Sequence, residues 1–301
     1  MQFTLNIPAG EVAVGDEDMA SLFPHTPRLD DRCFEQSVSA DLVTECLRAG
    51  TCAAQGADRE WMGGILHRLG HAANDRGETL MAHSWFQCAY AAKGTTIELL
   101  SSTNMRLKLG QWDLCEKLYS HVKTLELTDA ESEVAERKHK EVNALLGGGG
   151  SSRARPPRIG AAEESDALLA APAAHKGALS SDDTTRMLSL MRRCGHAANG
   201  AGDFAAAHVW FDCAFALSGS ANDLLSAANM RVKLLPTSSV AGAIYKHVLA
   251  TQTEEPNAPS PKNLSMASEK LGKLETARES LPGASAATPL PGGDDPDREY
   301  F

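Results

Sequence analysis

Five residues in one stretch carry side chains that can bind a metal: His67, His71, His83, Cys88 and His121. His67 and His71 are four apart, so a helix puts both on one face, and zinc sites use such spacing. His83 and Cys88 are five apart and share a helical face poorly. A second, related stretch has Arg192 at the place that corresponds to His67. No metal and no cofactor is therefore expected, and these histidines read as surface or internally satisfied groups. Nucleophilic chemistry has no better footing. There is no nucleophile elbow, phosphate loop or HExxH. GGGG at 147–150 lacks the following Gly-Lys-Ser/Thr of a phosphate loop. No residue is assigned a catalytic role, and the expectation is a protein that is not an enzyme.

The chemistry-bearing positions belong to a stretch that occurs twice. Residues 70–109 read GHAANDRGETLMAHSWFQCAYAAKGTTIELLSSTNMRLKL, and residues 195–234 read GHAANGAGDFAAAHVWFDCAFALSGSANDLLSAANMRVKL. His196 − His71, Trp210 − Trp85 and Met230 − Met105 are each 125, with no gap between them. A long internal period of this kind means repeated structural units.

The elements that must position these residues are helices. Trp61, Ile65, Leu66 and Leu69 recur at helical spacing. Met81, Trp85, Phe86, Ala89 and Tyr90 follow after Gly77. Leu99, Leu100, Met105, Leu107 and Leu109 form a third run, and Leu114, Leu118, Val122 and Leu125 a fourth. Thr128 with Glu131 is a capping box that opens a fifth helix to Leu146. The second copy repeats the plan from Thr185 to Leu249, with one extra residue near Pro236, and Ser260–Pro261 starts a closing helix. Ser39 can cap an earlier helix that Gly50 ends. The division is an irregular arm over 1–35, a first module over 36–146, a Gly/Arg/Pro linker over 147–160, a second module over 161–279 and an acidic tail over 280–301. In the arm, alternation at Phe3, Leu5 and Ile7 fits a small hairpin as well as a disordered segment.

Composition bounds the function. The chain has 301 residues, 43% apolar and 5% aromatic, with a net charge of −10. A phosphate-backbone binder needs a basic face, so nucleic acid is not an expected partner. Seven cysteines without tight spacing imply a reducing compartment and no disulfide framework. With no signal peptide and no long apolar run, neither export nor membrane contact is expected, and the default location is cytoplasmic.

Each copy also resembles the tetratricopeptide repeat (TPR) family. Leu66, Leu69 and Gly70 stand where that family has its first large residue and its Leu–Gly pair. Gly77 takes its turn, Ala82 and Ala89 its small contacts, and Phe86 its aromatic. Gly94 replaces the usual closing Pro. A degenerate second unit follows with Leu99, Gly110, Cys115 and Tyr119. Gly195, Gly202, Phe204, Ala207, Phe211 and Ala214, then Leu224, Ala228, Ala241 and Tyr245, carry the likeness in the second copy. The resemblance covers about 62–129 and 187–254. It implies an all-α protein, an α-solenoid of helical hairpins in two homologous modules, with 36–49, 129–146 and 261–279 as end caps. Mid-helix Gly70 and Gly195 fit this, since Gly costs roughly 0.5–1 kcal/mol against Ala there and a close helix contact would offset that.

In that family the first helix of each pair lines the concave surface. The resemblance therefore places His71, Asn74, Asn104 and Lys108 in a groove, and His196, Asn199, Asn229 and Lys233 in its second copy. Asn side chains can clamp an extended backbone, and Lys can hold carboxylates. The resulting expectation is a non-catalytic scaffold or adaptor that takes a protein or acidic peptide partner. Self-assembly, with the groove filled by another copy, is the second reading, and an enzyme with the repeats as an accessory domain the third. Arg106 and Arg231 are expected to pack their stems while the heads reach solvent.

Overall fold

Gly77 and Gly202 stand at equivalent turns with φ of 79° and 77°, where a side chain would be strained. Each reverses the chain between two antiparallel helices. The structure is a computed structural model that describes residues 52–147, 161–251 and 259–280. Among these residues there are helices and no strand. The first copy holds α1 (Gly56–Asp75), α2 (Thr79–Lys93), α3 (Thr96–Lys108), α4 (Trp112–Val122) and α5 (Asp129–Gly147). The second holds α6 (Ala161–His175), α7 (Ser181–Gly200), α8 (Phe204–Ser218), α9 (Ala221–Leu234), α10 (Ser239–Ala250) and α11 (Pro261–Glu279). The arm over 1–35, the helix expected before Gly50, most of the linker and the tail from 281 lie outside the described residues.

Most helices pack chiefly on their sequence neighbours, α1 on α2, α2 on α3, α7 on α8 and α8 on α9, whereas α6 packs on α8 and α10. The close contacts have the residues that permit them. A Cβ on Gly70 would come within 2.8 Å of the Phe86 ring, and one on Gly195 would come equally near Phe211. The two aromatics thus seat directly on the two glycines. Trp85 and Trp210 are fully buried, each worth about 1.5–3 kcal/mol. The expected capping box is present: the Thr128 N–H donates to Glu131 Oε2 at 2.9 Å, and the Glu131 N–H donates back to Thr128 Oγ1 at 3.3 Å. Pro261 occupies the first turn of α11, behind a Ser260 cap.

The two copies are packed together rather than separated. One hydrophobic cluster runs from Met62, Leu66 and Trp85 through Cys88 to Cys213, Trp210 and Leu224. Helix α2 packs on α8, and α6 reaches across to α2. Two of the contacts between copies join equivalent residues. Cys88 and Cys213 differ by 125, and their sulfurs lie 3.7 Å apart. Trp61 and Arg186 also differ by 125, and the guanidinium sits 4.2 Å from the Trp61 ring centroid. Around these two contacts equivalent faces meet, as in an isologous, two-fold contact, while Cys52–Cys194 and Trp85–His175 join residues that are not equivalent.

Candidate functional site

Helix α1 carries His71 and Asn74 three residues apart, and α3 carries Asn104 and Lys108 four apart, so each pair shares a face. The structure brings the two helices' pairs together. Lys108 Nζ donates to Asn74 Oδ1 at 2.6 Å. From α4, the Tyr119 hydroxyl donates to Asn104 Oδ1 at 2.6 Å. The second copy repeats both bonds: Lys233 donates to Asn199 at 2.8 Å and Tyr245 to Asn229 at 2.9 Å. His71 and His196 are exposed and stand edge-on to Phe86 and Phe211, at 5.1 and 5.2 Å between ring centroids. All eight sequence-selected residues thus lie in two like clusters, each with the His and Lys exposed and both Asn half-buried.

The bonds determine what each cluster offers. Lysine can only donate, so Asn74 and Asn199 must turn their oxygens inward to it. Burial pushes the Tyr119 and Tyr245 phenols up, which keeps them protonated donors. Each Asn oxygen thus accepts one bond from within the protein, and Lys108 and Lys233, both exposed, keep further N–H groups to donate.

The clusters are not equal. In the second copy α11 closes in, and Asn229 Nδ2 lies 3.9 Å from Met266 Sδ. Lys233 sits 4.6 Å above the Phe204 ring, and burial followed by the nearby Lys270 lowers its pKa. Thr79 stands where the second copy has Phe204, so Lys108 lacks that ring.

Residues one turn away do different work. His67 Nδ1 lies 3.5 Å from Glu98 Oε1, to which Lys93 also donates at 2.7 Å. Arg192 makes a two-pronged pair with Asp223, at 2.8 and 2.7 Å, and Ser218 adds a bond at 2.7 Å. Glu98 and Asp223 are equivalent, buried carboxylates in the first turns of α3 and α9. The acid is held by Lys93 in the first copy and by Arg192 in the second, and His67, beside Glu98 but without a hydrogen bond from Nδ1, stands where Arg192 does. Sequence reasoning missed this acid, although an acidic residue kept at the same offset was visible.

Arg231 departs from expectation. Its head does not reach solvent; it donates to Asp212 at 2.7 and 2.9 Å and to Glu164 at 3.0 Å, and it is buried. The reason is the pair of carboxylates, which hold the guanidinium charged despite its desolvation. Arg106 has Gln87 where Arg231 has Asp212; its Nη1 donates to Gln111 at 2.9 Å.

One contact resembles a nucleophile and its base. Ser120 Oγ lies 3.3 Å from His139 Nε2. Its proton has a competing acceptor in Glu116 Oε1, at 3.2 Å, and that carboxylate faces the same ring nitrogen, at 3.8 Å, instead of orienting the other. A relay needs the acid on the far nitrogen. The second copy has Lys246 in place of Ser120, counting the extra residue. No group of three metal-binding side chains occurs among the described residues. A depression of about 410 Å³ lies where α1 and α7 meet, lined by Asp58, Asp182, Arg186 and Arg193, and none of the eight cluster residues lines it. No helix among the described residues is long and apolar enough to cross a membrane. Comparison with protein-family models and with curated proteins finds no match.

Proposed function

We propose that the protein is a non-catalytic, cytoplasmic scaffold or adaptor, built of TPR-like helical hairpins, that holds an extended acidic segment of a protein partner on its donor clusters. The observation that carries this reading is the repeated inward turn of Asn74 and Asn199 towards Lys108 and Lys233. Both copies within the chain turn an Asn oxygen to an exposed lysine that keeps further N–H groups to donate, on a protein whose net charge is −10. Backbone carbonyls and carboxylates are the groups that such a surface satisfies, and charge-assisted bonds to lysine are the stronger ones.

The test is binding of a panel of short acidic peptides, followed by fluorescence anisotropy, to the wild type and to Lys108→Glu with Lys233→Glu. Each lysine lost should weaken binding about tenfold, with helicity by circular dichroism unchanged. Unchanged binding by the double variant sinks the proposal. Self-assembly, the second reading, is tested by light scattering: a mass that grows with concentration would favour it over peptide capture.

A further inference from the structure

Two pairs of cysteines bridge the copies, and their surroundings differ in the ways that decide thiol chemistry. Cys88 and Cys213 sit 3.7 Å apart inside α2 and α8, fully buried. Burial pushes both thiols up, and an oxidant in solution has no path to them. Cys52 and Cys194 are closer, at 3.4 Å between sulfurs. Cys52 lies in the short non-helical stretch before α1 and is half-buried, while Cys194 is buried within α7. A sulfur in an irregular segment can close the remaining distance to the roughly 2.05 Å of a disulfide without unwinding a helix. The surroundings of Cys52 also favour its thiolate. The Cys194 thiol, the Ala54 N–H and the Arg59 and Arg193 charges bring its pKa down to about 7, against the opposing effect of burial. Cys194 is pushed the other way by its neighbour and by burial. The pair thus consists of an accessible attacking sulfur and a shielded resolving one.

We propose that Cys52 and Cys194 form a reversible disulfide between the two copies, made by exchange with a low-molecular-weight disulfide. The Cys52 thiolate attacks one sulfur of the small disulfide, whose S–S bond breaks, and a small thiolate leaves. Cys194 then attacks Cys52 Sγ, its proton passing to solvent, and expels the second small thiolate. Two protein thiols lose two electrons and two protons, and one small disulfide becomes two thiols. This is compatible with a reducing compartment, because the bond is made and broken with the ambient thiol poise instead of being a permanent staple. The consequence is a covalent tie from the entry of α1 to α7.

The experiment is incubation of the full chain with oxidised glutathione, alkylation of the remaining thiols and peptide mapping. The wild type should lose about 2 Da and yield a Cys52–Cys194 peptide, reversed by excess reduced glutathione. Cys194→Ser should instead stop at glutathione on Cys52, and Cys52→Ser should give neither product. Cys88→Ser with Cys213→Ser should leave the linkage intact. The oxidised form should melt roughly 10 °C above the reduced one. A linkage of Cys88 to Cys213, or of either partner to Cys33 or Cys46, overturns the proposal. So does a wild type that halts at the mixed disulfide, or one that stays fully reduced while Cys52 is alkylated in the folded chain.

Discussion

Four histidines share one bias. His67, His83, His175 and His208 all have their pKa values lowered, in each case first by burial. His208 is the one pushed down to about 3; it faces Arg231, Glu164 and, across the seam between copies, His83. A base whose folded pKa lies below its unfolded value near 6.5 is neutral in the fold and takes up a proton on unfolding. Between those two values the unfolded chain binds more protons, so stability rises with pH across that window and is fully present above 6.5. Urea denaturation followed from pH 7 to pH 4 should therefore show a falling midpoint, and His208→Gln should flatten part of that fall; an unchanged slope would exclude His208 as a contributor. Arg231 gives a second expectation at this scale. Removing it leaves Asp212 buried and uncompensated, so Arg231→Ala should cost about 3–5 kcal/mol in urea unfolding. Arg106→Ala, which strands no carboxylate, should cost less than half of that. The eight cluster residues were selected through the TPR resemblance, and the duplication gave each of them a counterpart in the other copy. The Glu98 and Asp223 acids were not, because a charged side chain in a first helical turn ordinarily reads as a favourable, solvated partner of the helix dipole.

Among the elements, the hairpins depend on two glycines. Alanine has the better helix propensity by about 1 kcal/mol, so Gly→Ala in a helix normally stabilises. At Gly70 and Gly195 the added carbon would meet Phe86 or Phe211 at 2.8 Å, and ring and helix would have to part. Overpacking of this kind costs typically 1–3 kcal/mol, which outweighs the propensity gain. Gly70→Ala and Gly195→Ala should each lower the thermal midpoint. Gly64→Ala, in the same helix α1 but with nothing within 4 Å, should raise it by a degree or more. Thermal scans of the three variants decide the matter, and a stabilised Gly70→Ala would refute the tight seat. The glycine contact and the capping box were legible from the chain because each is local, written within one hairpin or four residues. The helix α6 was legible only as a weak echo at Asp166–Leu169. Its buried face, with Leu168, Ala171 and His175, is defined by contacts with α8, α10 and α2 far along the chain.

Across the whole molecule the copies behave as one body. The largest hydrophobic cluster, through Cys88 and Cys213, is shared by both copies, beside a smaller one within each. Calorimetry should show one cooperative transition, not two. A protease site inserted between Gly147 and Ala161 should yield two fragments that elute together from a sizing column. Fragments that separate would show that the seam does not hold the copies without the covalent connection. Nothing in the sequence announced this seam. Trp61 and Cys88 read as ordinary helix residues, and no periodicity says which apolar face looks into its own hairpin and which looks across to the other copy.

The meeting of Trp61 with Arg186 and of Cys88 with Cys213 has one more consequence. Two independent chains that joined through a self-matching face would separate on dilution, and their joined fraction would follow how much protein the cell makes. Here the mate is carried on the same chain, and a tethered mate acts at an effective concentration of roughly millimolar order. The pairing is thereby independent of abundance. It also frees each mate to change alone, so that a histidine in one can stand where the other has an arginine, and one donor cluster can be lidded by α11 while its twin remains free of that cover.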